Sequence, residues 1–143
     1  MCCAQGKVFV DVTNKRIVVD VSQDFVRYYN WFIKKKYWIA LHTSKHRAHI
    51  TLANSKLHKN IDYQKAHDLY HGQIVCFDYD PNMVRGGLTK GFVMFYIKVF
   101  SKDLERIKRK IGVVENNTYK GLHITVGNGK QGVMEYWPEM IEI

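Results

Sequence analysis

Proline is scarce in this chain of 143 residues: only Pro81 and Pro138 occur. So low a content leaves little room for a proline-rich linker or a long disordered connection. Long apolar runs are missing too. No stretch reaches the roughly 18 consecutive apolar residues of a membrane-spanning helix, so no span is expected. Of three cysteines, Cys2 and Cys3 are adjacent at an end that reads as mobile, and Cys76 lies alone in the run Ile74-Val75-Cys76-Phe77. Neither a disulfide framework nor a C-x-x-C metal knuckle can be built from them, which points to free thiols in a reducing cytoplasm. The start Met1-Cys2-Cys3-Ala4 shows no basic-then-apolar leader pattern and no glycine at position 2, so neither secretion nor myristoylation is expected. Acidic residues are the minority, 13 Asp+Glu against 22 Lys+Arg, giving a formal charge of +9. An anionic partner suits that balance, and 13% aromatic residues suit one with stackable bases. The competing reading is a basic surface that is merely solvated.

What is present fits one folded domain over residues 1–143. The composition is 46% hydrophobic, and a chain of this size buries roughly 70% of its unfolded surface. Val-rich segments Lys7–Val12 and Arg16–Val21 around Thr13-Asn14-Lys15 read as a hairpin. Ser22 can cap a helix over 23–36, where Phe25, Tyr28, Tyr29, Phe32 and Ile33 recur at helical spacing. A strand over 47–53, a short helix over 62–71 with Ala66, Leu69 and Tyr70 on its apolar side, and a strand over 73–79 follow. Pro81, Gly86 and Gly87 then mark a loop, and Gly91–Phe100 a strand. Ser101 opens a helix with Asp103 and Glu105 early and Lys108, Arg109 and Lys110 late, the order that complements the helix dipole. Gly112 ends it. After a polar loop with Asn116-Asn117 comes a strand over 121–126, a Gly127-Asn128-Gly129 turn, and a tail from Val133 that reads as a terminal strand or a flap.

Within two of these strands one tripeptide recurs: His49-Ile50-Thr51 and His123-Ile124-Thr125. Alternation sends Ala48, Ile50 and Leu52 to one face and His49 and Thr51 to the other, and does the same for Leu122, Ile124 and Val126 against His123 and Thr125. Each copy joins a proton-transfer group to a hydroxyl donor on a rigid element. Cleaving a phosphodiester needs a base for the nucleophile, an acid for the leaving oxygen and donors for the phosphoryl oxygens, and the two copies supply all of these. Since imidazole titrates near 6.5, one ring can be neutral while the other is cationic. The hydroxyls would stabilise the charged oxygens, and a neighbouring 2′-hydroxyl would serve as an intramolecular nucleophile. Zinc is the rival use of paired histidines. With no HExxH, no acidic residue inside either motif and no cysteine pair, no metal or other cofactor is expected.

Ala48-His49-Ile50-Thr51-Leu52 and Leu122-His123-Ile124-Thr125-Val126 resemble the motifs of the 2H phosphoesterases, a likeness that extends loosely over the whole chain. The resemblance implies an α+β, bilobal fold: two antiparallel sheet lobes facing a central cleft, with helices packed outside. It implies His49 and His123 as the acid-base pair and Thr51 and Thr125 as phosphate donors. Size, motif separation and the aromatic-basic segment Phe25 to Trp38 look most like the phage anti-CBASS phosphodiesterases, which degrade the cyclic oligonucleotide signals of bacterial antiphage defence. That implies metal-independent attack on the 3′-5′ bonds of cyclic di- and trinucleotides in a host cytoplasm. An RNA-processing 2′,3′-cyclic phosphodiesterase is the alternative, as is a non-enzymatic RNA-binding or assembly module on the same fold.

Further candidates have equally good structural explanations. Arg47, with Lys45 and His46, approaches the first motif and could attract phosphate. Glu135, Tyr136 and Trp137 follow the second, where a folded tail could contact a base. Lys34-Lys35-Lys36 ends a helix, where cations are favoured anyway, and Lys130 follows the glycine turn. His58, His67 and His71 read as surface residues, although His67 and His71 have the i, i+4 spacing that can bind metal. Phe92, Met94, Phe95 and Tyr96 read as core. The expected partners are a cyclic oligonucleotide first and RNA second, with no membrane; oligomeric state is left open.

Overall fold

A computed structural model of the chain describes residues 1–38, 40–42, 46–56, 58, 60–81, 85–89, 92–113 and 121–130; side chains of residues 37, 85–89, 92, 93 and 130 are outside that description. In chain order the elements are β1 (Cys2–Asp11), β2 (Arg16–Asp20), α1 (Asp24–Tyr37), β3 (His49–Asn54), α2 (Tyr63–Tyr70), β4 (Ile74–Tyr79), β5 (Arg85–Thr89), β6 (Phe92–Phe100), α3 (Lys102–Ile111) and β7 (His123–Lys130). The class is α+β. The strands form an antiparallel sheet in the order β4-β1-β2-β3-β7-β6-β5, and β4 also pairs with β6, so the sheet curls back on itself. The first motif lies on β3 and the second on β7, adjacent strands at the middle of that order.

Alternation decides which side of each strand is buried. Val8, Val10, Ile17, Val19, Ile50, Leu52 and Ile124 join Tyr63 and Ala66 of α2 and Leu104 and Ile107 of α3 in one core cluster. Tyr29 and Ile33 of α1 pack with Phe95, Ile97 and Val126 in a second. All three helices thus contribute to the face that holds Ile50 and Ile124. Helix α3 shows why it starts and stops where it does: Ser101 Oγ accepts the Leu104 N–H at 3.1 Å, and Gly112 takes the left-handed conformation at its end.

Four expectations need correction. The beginning of the chain is paired: β1 runs from Cys2, which sits opposite Tyr79, because β4 supplies partners for its backbone. The Gly86-Gly87 segment is strand β5, last in the sheet order among the described residues, and its backbone pairs with Phe95 and Met94 on β6. Gly127-Asn128-Gly129 is no turn but part of β7, opposite Phe95, Met94 and Val93. Its glycine answers a close approach: a Cβ at Gly127 would stand 3.0 Å from His42 O and 3.0 Å from Leu41 Cβ. On α2, Leu69 is exposed and Tyr63 takes the buried place beside Ala66. Ser22 does meet the start of α1, its Oγ accepting the Asp24 N–H at 3.2 Å, although Gln23 occupies the capping position. All three cysteines are free and exposed. Among the described residues no helix is long and apolar enough to cross a membrane. Lys45, the Asn116-Asn117 loop and the tail with Glu135, Tyr136 and Trp137 lie outside the described residues.

Candidate active site

Strands β3 and β7 meet in register at Ile50 opposite Ile124. Both isoleucines are 0% exposed, so the apolar face anchors the join and the histidine face is set by it. Because the strands run antiparallel, the residue before Ile50 faces the residue after Ile124. His49 therefore stands opposite Thr125, and Thr51 opposite His123, with all four on the face away from the core. His49, His123 and Thr125 are half-buried and Thr51 is exposed.

Each imidazole is oriented in the same way. His49 Nδ1 lies 2.6 Å from the carbonyl oxygen of Arg47, and His123 Nδ1 lies 2.9 Å from that of Gly121. A carbonyl only accepts, so each Nδ1 carries the proton and each neutral ring keeps its lone pair on Nε2. Gly121 has φ of 55°, a left-handed conformation suited to glycine, and its carbonyl is the one that holds His123.

Helix α1 ties both motif strands. Gln23 Oε1 accepts the Ala48 N–H at 3.1 Å, next to His49. Asn30 Nδ2 donates to Val126 O at 2.9 Å, next to Thr125, and to Val26 O in its own helix at 2.8 Å. Val126 is the extra residue of a bulge, since Phe95 pairs with Gly127 while Tyr96 pairs with Thr125. Bulges re-aim the side chains beside them, and Asn30 holds this one in place. Thr125 Oγ1 rests 3.8 Å from Met94 Sδ, a weak bond that a phosphoryl oxygen could replace.

A cleft of about 460 Å³ opens beside this join. His49 and Thr125 line it, together with Arg47, His46, Arg27, Gln23, Met94 and Asn128. Arg27 reaches it while bonded to Asp24 at 2.8 Å. Thr51 and His123 stand across the join and are not part of that lining. Around them the sheet places Tyr96, whose ring meets His123 edge-on with centroids 5.3 Å apart, and Lys98, opposite His123 in register. Asp20 is opposite His49 on the other side, and the His46 ring is 6.4 Å from that of His49.

No family model, curated protein or solved structure matches this chain.

Among the described residues no group of three or more His, Cys, Asp or Glu side chains is placed to hold a metal ion. The i, i+4 pair of α2 is used differently: His71 Nδ1 accepts the Val10 N–H at 3.1 Å, and the His67 and His71 rings stack with centroids 4.3 Å apart. His58 is half-buried, its Nδ1 accepting the Asn54 N–H at 3.3 Å.

The four motif residues and Arg47 stood out in the sequence as candidates, whereas Gln23, Arg27, Asn30, Lys98 and Asn128, which the fold sets beside them, did not. One signal existed for Lys98. It is the lone cation in Phe92–Phe100 and shares alternation with Tyr96, which marks a polar face on a strand otherwise read as core. For Gln23 and Asn30 no local pattern could serve, because their partners are fixed only by the fold. The four motif groups together offer two proton-transfer nitrogens and two hydroxyls on one surface.

Proposed function

We propose that this chain is a metal-independent phosphodiesterase of the 2H type that cuts 3′-5′ linkages of cyclic di- and trinucleotides. The observation that carries the reading is the Ile50–Ile124 register, with both imidazoles tied through Nδ1 to a carbonyl. In a regular ladder, diagonal residues such as His49 and His123 lie about 7–8 Å apart, a span that a phosphodiester with its two ester oxygens can bridge. One Nε2 takes the proton of the 2′-hydroxyl, the O2′–P bond forms, and the bond from phosphorus to the leaving 5′-oxygen breaks as the other imidazolium protonates that oxygen. The product is a linear nucleotide ending in a 2′,3′-cyclic phosphate. Water can open that ring to a simple phosphate with the two rings exchanging roles. Thr51 and Thr125 would donate to the non-bridging oxygens.

A two-lobed arrangement is part of the proposal. The sheet is joined at Ile50–Ile124 on one side and at Asp78–Phe100 and Tyr79–Val99 on the other, which would make β4-β1-β2-β3 one lobe and β7-β6-β5 the second. The cleft volume falls in the range of about 300–1,000 Å³ usual for small-ligand sites. Arg47 and Arg27 give it the positive lining that a phosphate favours. Cyclic oligonucleotides are chosen within this class because of the likeness to phage anti-CBASS phosphodiesterases, whose setting is a host cytoplasm.

The test is product analysis in EDTA with cyclic di- and trinucleotides, RNA and 2′,3′-cyclic nucleotides. Ring opening that persists in EDTA and drops about 10²- to 10⁴-fold in His49→Ala and in His123→Ala is expected. Cleavage confined to 2′,3′-cyclic nucleotides would move the chain to RNA processing. RNA binding unchanged in both variants, with no turnover in the wild type, would make it a binding module.

A further inference from the structure

Helix α1 buries one face and leaves the other rich in aromatic rings. Tyr29 and Ile33 are buried beneath it. Tyr28, Trp31, Lys35 and Trp38 follow one another at intervals of three and four residues, the repeat that aligns side chains along one helical face. This stripe points outward: Tyr28 is 51% exposed, Trp31 56% and Trp38 91%. Lys34 lies beside it, and neither Lys34 nor Lys35 enters a salt bridge among the described residues. Trp31, Lys34, Lys35, Trp38 and Ala40 surround a cavity of about 670 Å³.

Packing does not explain Trp38. It ends the helix in the left-handed conformation, φ 60° and ψ 31°, where glycine is usual, and its indole covers almost nothing. A large ring held in an uncommon left-handed backbone conformation and turned to solvent leaves its whole face open to another molecule.

We infer that this stripe is a binding platform for single-stranded nucleic acid, with bases stacking on Trp31 and Trp38 and phosphates held by Lys34 and Lys35. Proteins that bind single strands combine aromatic faces with cations along the backbone path, and this stripe interleaves the two. The formal charge of +9 complements such a ligand. An anionic membrane fits less well. Phe25, Tyr29 and Ile33, the continuous apolar side of α1, pack into the core, so the outward side offers rings separated by lysines and no broad face to sink into a bilayer. Trp31, the first ring proposed to stack a base, lies four residues, about 6 Å, along the helix from Arg27, which lines the cleft. The platform does not depend on the chemistry proposed there.

The test uses the full chain carrying His49→Ala and His123→Ala, so that no ligand is cut. It is titrated with a short fluorescein-labelled oligothymidylate, the matching oligouridylate, a duplex of equal length, and phosphatidylcholine vesicles with and without phosphatidylserine. Anisotropy should rise with both single strands, and binding should weaken with added salt. Affinity should fall about tenfold or more on adding Trp31→Ala, Trp38→Gly or the pair Lys34→Ala with Lys35→Ala. Trp38→Gly controls for folding, since glycine suits that backbone and its melting temperature should equal or exceed that of the parent. Absence of single-strand binding, equal affinity in the tryptophan variants, or preference for the duplex would overturn the inference. Tryptophan-dependent binding to phosphatidylserine vesicles without binding to oligonucleotide would overturn it in favour of a membrane surface.

Discussion

An imidazole whose Nδ1 donates to a backbone carbonyl keeps a single neutral tautomer, because the other would set a lone pair against the carbonyl oxygen. His49 and His123 share this arrangement with Arg47 and Gly121. If one ring acts as base and the other as acid, as proposed, turnover should pass through a maximum with pH, and a rate that climbs steadily into the alkaline range would remove the paired-histidine mechanism. His58 has a different consequence. Burial first, and then the Lys108 ammonium, push its imidazole below the ordinary value of 6.5, with a backbone contact at Asn54 opposing them in part. The native state then binds fewer protons than the unfolded state between the lowered value and 6.5, so this contribution to stability is complete above 6.5 and is lost as pH falls through that window. Melting temperatures over this range should fall with acidification in the wild type and fall less in His58→Gln. An unchanged slope in the variant would assign the acid sensitivity to other groups.

At the level of elements, α1 ties together the two paired motif strands through Gln23 at Ala48 and Asn30 at Val126. Asn30→Ala should lower stability by about 1–2 kcal/mol, the usual cost of losing such hydrogen bonds, and should reduce kcat more than it changes KM because Thr125 shifts with the bulge. Steady-state kinetics beside a denaturation curve would decide it, and a loss of stability with kcat intact would leave Asn30 a structural role only. Gly127→Ala should destabilise by about 1–3 kcal/mol, since its Cβ must displace backbone at His42 and the side chain of Leu41; urea unfolding measures this. These same positions show how far the sequence could be read. Alternation around both HxT motifs was legible because it is local, and so were the ends of α3, set by Ser101 and Gly112. Gly127 and Gly86-Gly87 misled because glycine occurs at a close approach or within a strand as well as in a turn, and only the neighbouring strand tells which. The direct pairing of β3 with β7 was not legible in the repeat, which pointed to one motif in each of two facing lobes, because that pairing depends on long-range packing of Ile50 against Ile124.

For the molecule as a whole, the excess of Lys and Arg sets a field that attracts anions from a distance. If the substrate is a nucleotide, raising ionic strength should increase KM while leaving kcat nearly constant, because screening acts on encounter more than on groups already in contact. A kcat that falls in step would instead implicate charge inside the site. The join at Ile50 and Ile124 has one more result. It relates the four motif groups by a near two-fold axis, so a phosphodiester turned end for end would find the same imidazoles and hydroxyls with acid and base interchanged. The flanks do not share that symmetry: a carboxylate, Asp20, stands in register with His49, and an ammonium, Lys98, with His123. On the proposed reading a phosphate would be drawn toward Lys98 and repelled by Asp20, which would give a bound strand its polarity at four motif groups that have none of their own.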